Sequence, residues 1–171
     1  TQELARWFKS LPADLYSFPI DVQQLLNKKL ALISYSLYKT FNEPYNGIRC
    51  GATVVASIVT QEYTINSTVG DSRIYTIKDD KLELITRDES RVWPPYKQAK
   101  DMTPEELDDL RFVRNNNEIL SCIGQEMDAS HIQTLLIPNS SYDKLILLSD
   151  GVTDLLSQEQ IRVISRTYPT D

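Results

Sequence analysis

Residues 70–75 read GDSRIY and residues 147–157 read LLSDGVTDLLS. In both, an aspartate stands where strand-forming residues give way to a turn. Asp150 directly follows the run KLILLS, Gly151 permits an abrupt turn, and Asp154 comes four residues after Asp150. If the segment makes one helical turn, that spacing puts both carboxylates on one side. Converging carboxylates repel one another unless a cation lies between them, and ligation by oxygen alone favours magnesium, manganese or calcium over zinc. Asp150 and Asp154 are therefore candidate metal ligands, Asp71 is read as sharing their site, and the chemistry expected there is metal-assisted hydrolysis of phosphate esters. Each motif taken singly also has a plainer account, in which Asp150 caps a turn, Asp154 is solvated and Asp71 pairs with Arg73 in a hairpin.

Other catalytic schemes find little material. The single histidine, His131, opens an alternating strand without an acidic or cysteine neighbour, so it is expected at the surface and not in a triad or zinc cluster. The glycines are dispersed and form no phosphate-cradling loop. SDGVTD lacks the alternating ligands of an EF-hand loop. In an aspartate-nucleophile phosphatase of the haloacid dehalogenase type, the nucleophile would stand two positions before Asp150, where this chain has Leu148.

A net charge of −6 with no basic cluster argues against nucleic acid or an anionic membrane as a partner. No apolar span is long enough for a membrane helix, and no signal-peptide pattern is visible. Cys50 and Cys122 fit no C-x-x-C pattern, so buried thiols in a reducing, cytoplasmic setting are expected. With 171 residues, 41% of them hydrophobic, the chain has material for one core and a single domain. Its start at Thr1 suggests a piece of something longer.

The elements that must carry these residues follow from periodicity. Leu4, Trp7, Phe8 and Leu11 mark a first helix that stops at Pro12, and Val22, Leu26, Leu30, Ile33, Leu37 and Phe41 mark one face of a longer second helix. Beyond NEPYNG the pattern changes to strands. ATVVASIV, as a continuous apolar run, is expected to be covered on both faces, whereas the alternating YTINSTV should have one face less buried. RIYTI and KLELI flank the turn KDDK, and consecutive hairpins predict an antiparallel sheet. TPEE, with Thr103, Pro104 and Glu106, opens a short capped helix in a polar insertion. EILSCIG, HIQTLLI and KLILLS are read as further strands, and a final helix starts at SQEQ with Ser157 and Gln160 as a second capping box. Helices packed on a layer of antiparallel strands make the fold class α+β.

GATVVASIV, VGDSRIY, LELITRDES, MTPEEL, NEILSCIG and LILLSDGVTDLLSQEQI resemble, in order and spacing, the PPM family of metal-dependent protein phosphatases (protein phosphatase 2C), above all its compact bacterial-type members. VGDSRIY and LLSDGVTDLLS carry most of the specificity. The resemblance implies an antiparallel β-sandwich flanked by helices, with two or three Mn²⁺ or Mg²⁺ ions at one end. It implies hydrolysis of phosphoserine and phosphothreonine in phosphorylated protein substrates by a metal-bridging hydroxide. On matching positions it makes Asp150 a ligand of the core metal pair, and Asp71 and Asp154 ligands of a more weakly held third ion. The segment from Arg91 to Asn117 corresponds to the flap that shapes substrate access.

The chain also departs from the pattern. The family's early acidic motif, its D-G-x-G-G metal loop and its closing Asp-Asn motif do not occur, so residues 1–171 are expected to be a partial PPM-type domain, truncated at both ends and inactive alone. Asp88, Glu89 and Ser90 stand where the family often has Asp-His-Ser. Leu120, Ser121 and Cys122 stand near its usual Thr-Arg. A PPM-fold pseudophosphatase, serving as a regulatory or protein-binding module, is the alternative to an enzyme. Unpaired sheet edges would permit self-association under either reading.

Overall fold

A computed structural model describes residues 2–47, 50–90, 102, 103, 106, 109 and 118–167. The first helix, α1 (Gln2–Lys9), buries no residue completely, but Leu4, Trp7 and Phe8 lean on the core. The second, α2 (Pro19–Leu37), begins with proline at a position whose backbone N–H would have no helical partner in any case. Its buried stripe is Val22, Leu26, Leu30 and Ser34. The expected continuation to Phe41 fails, because the helix passes into a π-helical turn, Tyr38–Asn42, whose wider winding rotates the face. Phe41 is thereby exposed, and Asn42 takes the buried position.

Among the described residues, two three-stranded antiparallel sheets follow. The first has the order β1 (Val54–Val59), β2 (Tyr63–Val69), β5 (Gln133–Pro138), and the second the order β4 (Lys81–Leu84), β3 (Arg73–Lys78), β6 (Lys144–Leu148). The expected succession of hairpins holds for β1–β2 and β3–β4, but between β2 and β3 the chain changes sheets. In the β3–β4 turn both Asp79 (φ 47°) and Asp80 (φ 64°) are left-handed, as a two-residue hairpin loop matched to strand twist requires.

The expected burial of the first two strands is reversed. The alternating β2 is buried along both faces, and the continuously apolar β1 is only half-buried. Sheet order decides this: β2 is central and β1 is at an edge. Ile65 and Val69 of β2 meet Val22, Leu26 and Leu30 of α2 in the core, and Ser67 Oγ on the same strand face donates to Asn27 Oδ1 of α2. The opposite face carries Thr64, Asn66 and Thr68, which stay polar although enclosed.

EILSCIG does not form a strand. Its backbone pairs singly with different partners, through the bridges Ser90↔Ile119 and Ala52↔Ile123. His131 lies in a 3-10 turn ahead of β5 and its side chain is exposed as expected, but Asp128 Oδ1 is 3.2 Å from Nδ1, an acidic neighbour that the strand reading missed. The expectation of two buried thiols also fails: Cys50 is exposed and Cys122 is half-buried, and neither is in a disulfide. Burial, with a smaller contribution from Cys50, pushes the Cys122 thiol above its ordinary value. The flap expected from Arg91 to Asn117 falls outside the described residues, apart from its capping box. There Glu106 N–H donates to Thr103 Oγ1 at 3.2 Å, and Thr103 N–H to Glu106 Oε2 at 2.7 Å.

Two helices close the described chain, α3 (Asp150–Thr153) and α4 (Gln158–Thr167). The second capping box is present: Gln160 N–H donates to Ser157 Oγ, and Ser157 N–H to Gln160 Oε1 at 2.8 Å. Ser157→Ala is therefore expected to lower stability by about 1 kcal/mol, measured as a shift in the urea midpoint at unchanged slope. Among the described residues no helix is long and apolar enough to cross a membrane.

Candidate metal centre

The β3–β6 ladder pairs Arg73 with Leu148. Asp71 lies two residues before Arg73 and Asp150 two residues after Leu148, so both aspartates stand beyond the same end of this ladder. Ser149 is still extended, and the chain then coils, with Asp154 N–H donating to Asp150 O at 2.8 Å. This is the single helical turn that the spacing anticipated, and it puts Asp154 on the same side as Asp150. Gly151 N–H donates to Asp150 Oδ1 at 2.8 Å, which orients a carboxylate that remains open to solvent.

The three aspartates differ in surroundings. Asp150 is exposed, Asp154 is half-buried rather than fully solvated, and Asp71 is 2% exposed. Among the described residues no three acidic, histidine or cysteine side chains close into a group able to hold a metal. The fold thus brings the candidate ligands to one end without completing a coordination shell from the described chain. Their donor chemistry suits a hard divalent cation, since all are carboxylates.

The turn that carries Asp71 is tightly built. Gly70 has φ +97°, and a Cβ there would lie 2.6 Å from Thr53 Cγ2 and 3.2 Å from Ser121 O. Only glycine accepts both the backbone angle and the contact. Thr53 Oγ1 and Ser72 Oγ share a hydrogen bond of 2.9 Å, and Glu89 N–H donates to Gly70 O at 2.9 Å. Next to the turn, Arg73 forks onto Asp88. Its Nε lies 3.0 Å from Oδ1 and its Nη2 2.9 Å from Oδ2, while Nη1 reaches Tyr75 Oη at 3.3 Å. The two side chains of this ion pair are 1% and 0% exposed.

Sequence reasoning identified neither the Arg73–Asp88 pair nor the role of Asn42. Asn42 Nδ2 donates to Cys50 O and to Gly124 O, each at 2.7 Å, and its Oδ1 accepts from Cys50 N–H at 2.8 Å. Asp88 was visible only as part of TRDES, fifteen residues from Arg73 with no periodic relation between them.

No protein-family model matches the chain. It is 27% identical over 147 residues to the serine/threonine phosphatase Stp of Listeria innocua, a match covering 86% of this chain and 54% of that protein. To the protein phosphatase PhpP of Streptococcus pneumoniae it is 32% identical over 124 residues, covering 72% of this chain and 47% of the relative. The chain therefore spans about half the length of the curated relatives it matches. The crystal structure of serine/threonine phosphatase Stp1 from Staphylococcus aureus superposes with a TM-score of 0.72 at 24% identity, over 94% of this chain and 59% of that one. The catalytic domain of the phosphatase PstP, solved with two manganese ions, superposes with a TM-score of 0.63 at 22% identity, over 97% and 64%.

Proposed function

We propose, from the premise that this chain belongs to the PPM family of metal-dependent protein phosphatases, that the whole protein removes phosphate from phosphoserine and phosphothreonine in protein substrates. What supports the proposal is that Asp71 and Asp150 stand beyond the same end of the β3–β6 ladder, with Asp154 one helical turn after Asp150. Asp150, oriented by Gly151 N–H and open to solvent, is the core ligand, and Asp71 and Asp154 serve a more weakly held ion. The remaining ligands come from outside the described residues. A Mn²⁺ or Mg²⁺ ion held by these carboxylates would supply Lewis-acid stabilisation of phosphoryl charge and activation of water. The chain's own part is to hold carboxylates in a fixed direction: the Gly70 turn fixes Asp71, and the α3 turn fixes the other two.

Phosphate release from matched phosphoserine, phosphothreonine and phosphotyrosine peptides by the full-length protein tests the substrate class. Release from the first two, abolished by chelator and restored by Mn²⁺, is the expected result; release from phosphotyrosine alone would refute it. In the same assay the 171-residue chain by itself is expected to stay at background, because its described carboxylates do not complete a metal-holding group. Turnover by the isolated chain would contradict that expectation.

A further inference from the structure

The segment after β4 forms no regular strand, yet it is fastened along β3. Ile85 N–H donates to Ile74 O at 3.0 Å, and Ile74 N–H donates to Thr86 Oγ1 at 3.0 Å. The buried Arg73–Asp88 fork follows, and then the hydrogen bond from Glu89 N–H to Gly70 O at 2.9 Å. The last two straddle Asp71: one holds residue 73, the other residue 70. The segment is itself backed by Leu120, whose N–H donates to Glu89 O at 2.8 Å.

Two features say that this fork serves geometry more than stability. A buried ion pair gains little over apolar residues of the same volume, because both charges must be stripped of water. A planar guanidinium gripping both oxygens of a carboxylate does fix distance and orientation together. Neighbouring polar groups on the bracing segments give no such hold: among the described residues, Glu89 Oε2, Ser90 Oγ and Ser121 Oγ are buried without a hydrogen-bond partner.

We propose that Asp88, acting through Arg73, is a positioning residue: the fork holds the Gly70–Ser72 turn so that Asp71 keeps a fixed direction toward a divalent cation at the Asp71–Asp150 end. The inference rests on the metal-dependent reading above and adds to it a residue pair that touches neither cation nor substrate. Loss of the pair acts on cation affinity even where the fold survives.

The test uses the full-length protein, with Mn²⁺ itself as the probe and affinity read by calorimetric titration beside the melting temperature. The double substitution Arg73→Met/Asp88→Leu removes both charges at similar volume and leaves neither buried alone. Arg73→Lys keeps the charge and loses the fork. The double variant is expected to melt within a few degrees of the parent while binding Mn²⁺ about 10–100-fold more weakly, with Arg73→Lys between the two. A merely structural pair would shift melting and leave affinity alone, so unchanged affinity in a folded variant overturns the proposal. If the double variant does not fold, Arg73→Lys decides on the same criterion. Failure of the underlying reading looks different: the parent then shows no Mn²⁺ binding sensitive to Asp150→Asn, and the proposal falls with it.

Discussion

Asp150→Asn in the full-length protein is expected to lower the proposed Mn²⁺-dependent phosphopeptide hydrolysis by about a thousandfold, equivalent to about 4 kcal/mol of lost transition-state stabilisation. The substitution is close to isosteric, and the amide oxygen still accepts the hydrogen bond that Gly151 N–H now gives to Asp150 Oδ1. Asp150 is exposed, so folding stability stays within about 0.5 kcal/mol. The loss is therefore chemical: a neutral amide donates less charge to a hard cation than a carboxylate does. Asp154→Asn, at the half-buried position one turn later, is expected to have a smaller effect of about tenfold, as the proposed ligand of a weakly held ion. Measuring turnover against Mn²⁺ concentration for both variants separates the roles. A loss at Asp154 equal to that at Asp150 would contradict the assignment.

Gly124→Ala is expected to destabilise the fold by about 3–5 kcal/mol, combining left-handed strain, overpacking and lost hydrogen bonds. Gly124 has φ +108°, and a Cβ there would meet Cys50 O at 2.3 Å, a backbone atom that cannot swing aside. The surrounding contacts are also coupled to Gly124. Its carbonyl accepts from Asn42 Nδ2, its N–H donates to Ser34 Oγ at 2.9 Å, and Ser34 Oγ donates to Gln125 O at 2.7 Å. A shift of Gly124 therefore disturbs α2 and the π-helical turn together. The melting temperature of the full-length protein is expected to fall by about 10 °C. Gly47→Ala is the internal control, since nothing lies within 4 Å of its Cβ position, and it should be nearly silent. Equal melting of the two variants would mean that the Gly124 contact can relax.

The sequence exposed the candidate site more readily than the packing around it. Asp71 and Asp150 were legible because each ends a strand-forming run at a turn, and Asp154 because a four-residue spacing is local geometry. The hairpin at KDDK and the capping boxes at Thr103 and Ser157 were legible for the same reason. Burial of β1 and β2 was misjudged because hydrophobic pattern does not reveal which strand becomes central. The strand expected at EILSCIG failed because its backbone pairs with separate partners brought together only by tertiary structure. The π-helical turn that exchanges Phe41 for Asn42 adds a residue that a 3.6-residue period does not anticipate. Arg73 and Asp88 meet only after β3 and the segment beyond β4 have aligned, so neither motif by itself could show the fork.

The most direct test of the central claim is hydrolysis of a phosphothreonine peptide by the full-length protein, followed as Mn²⁺ is removed and restored, with Asp150→Asn in parallel. Turnover that requires Mn²⁺ and is lost in the variant is the predicted result. A folded, Mn²⁺-loaded protein that releases no phosphate, or one whose turnover ignores Asp150, would contradict the account and leave a binding module on a phosphatase fold.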